Sequence, residues 1–477
     1  MTTLLIHNAD AIATMDDHNH ELRHASLLVR DGVIEAVAPA AELAHWLPKV
    51  DEVLQAEGHV VIPGMINTHH HMVQSLTRAV PSVQNSELFG WLQGLYPIWA
   101  GLTPEMVHTA TQVAMAELLL SGCTTSSDHL YIYPNGCRLD DSIQAAQEIG
   151  MRFMATRGSM SVGESDGGLP PDRVVEKESA ILKDSQRLIE TYHDATEGAM
   201  IQVALAPCSP FSVSQDLMRE SALLARSFHG AGVRLHTRLA ENDHDLRYTR
   251  EQFGCTPTQY VQDLGWLGDD VWHAHCVKLD DEGISLFAAT RTGVAHCPCS
   301  NMRLASGIAP VRRMIDAGIP VGLGVDGSAS NDAAHMLNEA RQAMLLARVG
   351  RAMQPAETRE GRTFFGCDLG PSEMGARDAL RIATRGGAAV LGRRDIGQLS
   401  PGKQADIAIF DTQQLSFAGG AVHDPIGALM FCASVNAKHT LVQGRFVVRD
   451  GHLTTVELRP LVDKHNRLAR ELAEAAR

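Results

Sequence analysis

Between residues 60 and 327, short and nearly continuous apolar runs alternate with stretches whose apolar positions recur at helical spacing, the pattern of βα units around a parallel sheet. Eight runs carry it: 60–67 (VVIPGMIN), 124–130 (TTSSDHL), 152–157 (RFMATR), 201–207 (IQVALAP), 234–240 (RLHTRLA), 271–276 (VWHAHC), 293–298 (GVAHCP) and 320–327 (PVGLGVDG). The helices between them announce their ends. Thr103 and Pro104 make an N-cap and a first helical position, Val107, Ala110, Ala114 and Leu118 share a face, and Gly122 follows. Eight such units favour an α/β fold of the (β/α)8, TIM-like barrel type over the doubly wound open sheet that the same alternation allows.

The two ends read differently. LLIHNADAIATM and ASLLVRDGVIEAVAP, with an Asp31-Gly32 hairpin signal, match the texture of IGQLSPGKQADIAIFDT and VNAKHTLVQGRFVVRDGHL, which are punctuated by Pro401-Gly402 and Asp450-Gly451. These runs predict a small discontinuous β-sandwich domain built from residues 1–60 and 391–477 around a barrel of residues 61–390. From about Glu457 the chain reads as a polar amphipathic helix.

Composition narrows the function classes. The 477 residues are 44% apolar, enough for a large core, and 41 basic against 56 acidic residues give a net charge of −15 that repels phosphate backbones and anionic lipid. No run of about 18 uncharged apolar residues exists. The N-terminus has no basic start and carries His7, Asn8 and Asp10 within its apolar stretch, so neither a membrane span nor a signal peptide is expected. Nine scattered cysteines form no disulfide-like framework, which points to reduced thiols in a cytoplasm.

The 23 histidines are what stand out. In a barrel of this kind chemistry collects at the carboxyl ends of the strands. The first run closes with Asn67-Thr68-His69-His70-His71, and strand alternation points His69 and His71 inward together while His70 faces away, a two-imidazole clip for a metal ion. The sixth run offers His275, the eighth Asp326, and the fifth Glu241, a carboxylate suited to proton transfer. Singly, His275 reads as a hydrogen-bonded structural histidine, Asp326 as a turn acid and Glu241 as a helix-start acid. Convergence on one barrel mouth is what changes those readings.

Pro63-Gly64-Met65-Ile66-Asn67-Thr68-His69-His70-His71, Leu239-Ala240-Glu241, Ala274-His275-Cys276 and Leu323-Gly324-Val325-Asp326-Gly327 resemble the motifs of the amidohydrolase superfamily, in its deaminase and chlorohydrolase branch. Longer strings, among them residues 71–79 (HMVQSLTRA), 297–307 (CPCSNMRLASG) and 328–332 (SASND), resemble 8-oxoguanine deaminases. The resemblance implies a mononuclear site, because 201–207 and its continuation CSPFS contain no lysine for a bridging carbamate. It implies one divalent ion, zinc by preference, held by His69, His71 and Asp326 and activating water. Glu241 then moves protons, His275 orients the attacking oxygen, Asp326 assists the leaving amine, and Gln74, Arg303 and Asn331 contact a small purine-like substrate. The expected activity is hydrolytic deamination of 8-oxoguanine to urate and ammonia, with triazine or pterin aminohydrolysis as the alternative. A homo-oligomer is also implied.

One position departs from that pattern. The resemblance places a metal-binding histidine three residues before Glu241, and this chain has Arg238 there, which has no lone pair to give. His236 lies on the same strand face and is the candidate replacement. Three outcomes stay open: a site completed by His236, one completed by solvent, or a metal-poor, non-catalytic barrel in which Arg238 pairs with Asp326. Lys278 is a second departure, where relatives often carry histidine. Cys297 and Cys299 read as packing, Trp91, Tyr96 and Trp99 as either a lid or core, and the loop from Gly158 to Pro171 as a cover over the substrate.

Overall fold

In the computed structural model, which describes residues 2–475, eight parallel strands close into a barrel in chain order. They are Met65–Asn67, Cys123–Leu130, Arg152–Ser159, Ile201–Pro207, Arg234–Leu239, Val271–His275, Gly293–His296 and Val321–Leu323. Leu323 pairs with Asn67 to complete the ring. Each of the eight expected runs supplies one strand of the barrel, and nearly every barrel-strand residue is buried, as a sheet covered on both faces requires. Helix Pro104–Leu120 starts where Thr103 accepts the Met106 N–H, and it buries Val107, Ala110, Ala114 and Leu118.

The run from 60 to 67 proves to be two strands. His59–Pro63 pairs antiparallel with Ile407–Asp411 in a second sheet, and only Met65–Asn67 enters the barrel. Gly64 makes the crossing possible: a Cβ there would lie 2.2 Å from Thr124 Oγ1, so the chain passes between sheets only without a side chain.

The second sheet has nine strands and draws on both ends of the chain. Thr3–Ala13, Glu21–Arg30 and Val33–Pro39 form its N-terminal side with Glu52–Gln55 beside Thr3–Ala13, and His439–Val442, Arg445–Arg449 and His452–Leu453 continue it beyond Ile407–Asp411. The expected turns hold it. Asp31 and Gly32, and again Asp450 and Gly451, all take positive φ, as a tight two-residue hairpin demands. Leu4, Ile6, Ile12, Leu27, Val29, Val61, Ile407, Ile409 and Leu441 share one apolar cluster, so strands from the two termini bury one another. The closing helix Leu458–Ala475 buries Leu461, Leu468 and Leu472. Among the described residues no helix is long and apolar enough to cross a membrane.

A buried ion pair joins barrel to sheet. Arg152, at the start of the third barrel strand, donates from Nε and Nη2 to Asp406 at 2.9 and 3.0 Å, and from Nη1 to the carbonyls of Gly198 and Ala199 at 2.7 Å. Both side chains are about 1% exposed. A fork-to-fork pair this buried is strong only while complete, since removing one partner strands the other charge out of water. Asp406→Ala should therefore destabilise the protein by about 3–5 kcal/mol, read as a lower urea midpoint; a loss below about 1 kcal/mol would show that other contacts hold the junction.

Candidate metal and active site

Past Asn67 the chain does not leave the barrel at once. His70–His71 pairs in parallel with Asp326–Gly327, and the Asp326 N–H donates to the His69 carbonyl at 3.0 Å, so the first and eighth strands carry their histidines and acid inward together. Buried Asn67 clamps the seam, accepting from Val325 N at 2.9 Å and donating to Ser126 Oγ at 2.9 Å. Gly324 gives the room: a Cβ would meet His69 Cβ at 2.8 Å and Cys297 Sγ at 3.0 Å. Asp326 and His275 both sit at positive φ, 61° and 72°, which Asp and His tolerate better than most residues. Such backbone is held only where its surroundings over-determine it.

His69 Nε2 and His71 Nε2 lie 3.2 and 3.3 Å from Asp326 Oδ1, and their rings are 4.7 Å apart, while His70 turns aside to accept the His71 N–H at 2.9 Å. His275 Nε2 stands 3.3 Å from Glu241 Oε2 and 3.9 Å from Asp326 Oδ2. Ser300 and Ser330 donate to Asp326 Oδ2 at 2.6 and 3.3 Å. Every one of these groups is buried.

Hydrogen bonds fix which ring nitrogens carry lone pairs. His236 Nδ1 must be protonated, because it faces the Trp272 carbonyl at 3.0 Å. Its Nε2 therefore accepts, and the proton in the 2.8 Å contact with His69 Nδ1 belongs to His69. His71 Nδ1 donates to the His129 carbonyl at 2.8 Å. Both Nε2 atoms are left as buried lone pairs with no hydrogen-bond partner. Facing a carboxylate oxygen without a proton between them, these atoms repel unless a cation intervenes. Two ligands of one tetrahedral zinc, each about 2.0–2.1 Å from it, stand about 3.3–3.4 Å apart. The observed spacing fits a divalent ion, and backbone-tied imidazoles are how proteins orient such ligands.

The protonation states agree. Burial pushes His69 down to about 4 and His71 well below the ordinary range, so both are neutral near pH 7. Glu241 goes the other way: burial pushes it up to about 8, against the pull of Arg238.

His236 braces His69 from behind, its ring stacked on Trp272 at 4.4 Å. Arg238 does not pair with Asp326. Its Nη2 donates to Cys208 Sγ at 3.0 Å and its guanidinium lies 5.4 Å from the centroid of the Tyr131 ring, with Nε buried and unpartnered. Gln74 passes over Gly327, where a Cβ would come within 1.7 Å of its Oε1; that oxygen is buried and free, and Nε2 reaches Tyr131 OH at 3.4 Å. Asn331 Nδ2 is spent on the Val325 carbonyl and Glu339, and Arg303 pairs with Asp332 at 3.2 Å. Lys278 pairs with Asp243 at 3.1 Å.

Trp91 and Trp99 are buried and donate to the Ala329 carbonyl and Thr77 Oγ1, packing helix Leu88–Trp99 against segments that follow the first and eighth strands. In the 158–171 stretch, Gly158 and Ser159 complete the third strand, and Ser161, Val162 and Leu169 donate to the carbonyls of Ser212 and Phe211. Sequence reading passed over His129, Asn301 and Tyr131. An imidazole at the carboxyl end of the second run was the available signal for His129, and Asn301, which meets His275 Nδ1 at 3.0 Å, lay within a motif already noted.

The chain belongs to the amidohydrolase family, whose model matches residues 60–447. It is a hydrolase of that family. It is 46% identical over 449 residues to an 8-oxoguanine deaminase of Pseudomonas aeruginosa, 94% of each chain, and 36% identical to an isoxanthopterin deaminase from an unknown prokaryotic organism, covering 98% of this chain and 97% of that one. Among solved structures, an atrazine chlorohydrolase from Arthrobacter aurescens complexed with zinc matches with a TM-score of 0.89 at 31% identity, over 98% of this chain and 100% of that one.

Two outcomes follow from this geometry. His236→Ala should weaken zinc affinity about 10–100-fold in a chelator competition, because His69 loses the acceptor that fixes its tautomer; unchanged affinity would mean that His69 is oriented by something else. In the metal-free protein Glu241 should still be protonated at pH 7 and ionise through about 8, seen as a carboxylic acid infrared band missing from Glu241→Gln. A carboxyl raised from its ordinary 4.5 binds an extra proton in the folded state, so its contribution to stability falls as pH rises between those values. A band lost by pH 5 would remove the assignment.

Proposed function

We propose that the protein is an aminohydrolase that replaces the exocyclic amine of an oxidised purine base with oxygen, converting 8-oxoguanine and water to urate and ammonia. The observation that carries the reading is the meeting of Glu241, His275 and Asp326 beside two inward-facing imidazoles, in a chain 46% identical across 94% of its length to an 8-oxoguanine deaminase. His69, His71 and Asp326 would hold one divalent ion, zinc by its nitrogen and oxygen donors, whose Lewis acidity makes water nucleophilic near neutral pH.

The chain's own groups account for the protons. His275, with Nδ1 tied to Asn301, presents the Nε2 lone pair as an acceptor that orients the attacking water. Glu241, poised near neutrality, takes one proton from that water and delivers it to the adjacent ring nitrogen. Asp326 passes the second to the amine. A carbon–oxygen bond forms, the carbon–nitrogen bond breaks, and the two water hydrogens end on the ring and on ammonia.

Gln74 Oε1 and Arg238 Nε, both buried, unpartnered and flanking Tyr131, supply one acceptor and one donor. That pair is complementary to a lactam edge, an N–H beside a carbonyl, which oxidised purines display. Arg303, whose Nη1 is also free, and Asn331 would be further substrate contacts. We place the enzyme in the cytoplasm as a homo-oligomer.

Ammonia release from 8-oxoguanine, guanine, isoxanthopterin and hydroxyatrazine tests the reading. The highest kcat/KM should fall on 8-oxoguanine, and Glu241→Gln should lower kcat at least a thousandfold with zinc content intact. A clear preference for the pterin or the triazine would reassign the substrate, and turnover retained in Glu241→Gln would remove the proton-transfer role.

A further inference from the structure

The fifth strand brings no free imidazole to the site. Arg238 has no lone pair to offer, and the one lone pair of His236 is taken by His69. The second strand does. His129 stands near its carboxyl end with its ring 5.3 Å from that of His71, 5.7 Å from His69 and 5.0 Å from His236. One nitrogen each of His69, His71 and His129 lies within 4.8 Å of the others.

The tautomer of His129 is fixed as firmly as the other two. Its Nε2 faces the Ala206 carbonyl, on the fourth strand, at 2.8 Å and must donate, which leaves the lone pair on Nδ1. That atom is buried and has no partner. The carbonyl of the same residue receives the His71 Nδ1 proton, so one residue both orients a neighbouring ligand and presents a donor of its own. A purely structural histidine would leave a desolvated acceptor uncompensated beside two more.

We propose that His129 is a metal ligand, completing with His69 and His71 a three-imidazole set beside Asp326 and supplying the donor that arginine at position 238 cannot. The proposal rests on the reading of this mouth as the divalent-ion site of an aminohydrolase. Arg238 itself turns to other partners, donating to Cys208 Sγ and lying against the Tyr131 ring.

The test uses the full chain stripped by chelation and reloaded with one equivalent of zinc. His129→Gln is the informative variant, since an amide nitrogen can keep the bond to Ala206 while Nδ1 is lost. Zinc affinity in chelator competition should fall at least tenfold, and X-ray absorption of the bound zinc should count one imidazole fewer than in the unsubstituted protein. Adding Arg238→His to that variant should restore the missing imidazole. Equal affinity with an unchanged count would overturn the assignment, as would a chain that takes up no zinc. Should His129→Gln not fold, as judged by circular dichroism, His129→Asn and the unsubstituted protein's own spectrum decide, three imidazoles for the proposal and two against. Zinc bound through His129 without ammonia release from 8-oxoguanine would defeat the functional reading alone; deamination with zinc binding insensitive to position 129 would defeat the ligand assignment alone.

Discussion

A buried imidazole that gives one N–H to a fixed carbonyl has no choice about where its remaining lone pair lies, and the site of this protein is built on that constraint. Trp272 orients His236, His236 orients His69, the His129 carbonyl orients His71, and Ala206 orients His129. The barrel closes only if these strands register with one another, so the pairing that makes the fold also sets the tautomers. Segments distant in sequence thereby fix His69 and His71 with neutral nitrogens facing one carboxylate, an arrangement that is repulsive in the absence of a cation.

Much of this was legible in the chain. The eight apolar runs became the eight barrel strands, Asp31-Gly32 and Asp450-Gly451 became hairpin turns, and alternation along Asn67–His71 placed His69 and His71 on one side with His70 on the other. Local pattern suffices where the governing physics is local. It failed at Gly64, because the switch between two sheets depends on what Thr124 leaves room for, which no window around residue 64 contains. It was silent on tautomers too. His236 shares a face with position 238, yet its hydrogen bonds to Trp272 and His69 put it behind the site, and periodicity reports faces without reporting partners. His129 went unremarked for the same reason, since its significance comes from Ala206 and His71.

Arg238 shows how a cation survives in such a place. A guanidinium buried in a barrel mouth needs compensation from every side, and an ion pair with Asp326 was the obvious source. The structure uses softer partners: the Cys208 sulfur at 3.0 Å and the face of Tyr131, with the Glu241 carboxyl contributing at longer range. Asp326 is left to the imidazoles and to Ser300. Arg238 thus gives the fifth strand no lone pair to offer, while His69, His71 and His129, and separately His69, His275 and Asp326, still bring donor atoms together.

The two acids of the mouth make the chemical argument. Glu241 and Asp326 both approach one imidazole nitrogen, 3.3 and 3.9 Å from His275 Nε2, and in water they would titrate almost together. Here their environments drive them apart. Asp326 accepts from two hydroxyls and is held well below the ordinary range, while burial lifts Glu241 to about 8 against the pull of Arg238. Carboxyl groups so separated hold different protonation states near neutral pH, one ionised and the other carrying a proton. Arg238 limits how far that separation goes, because its positive charge pulls the Glu241 carboxyl back against the lift of burial.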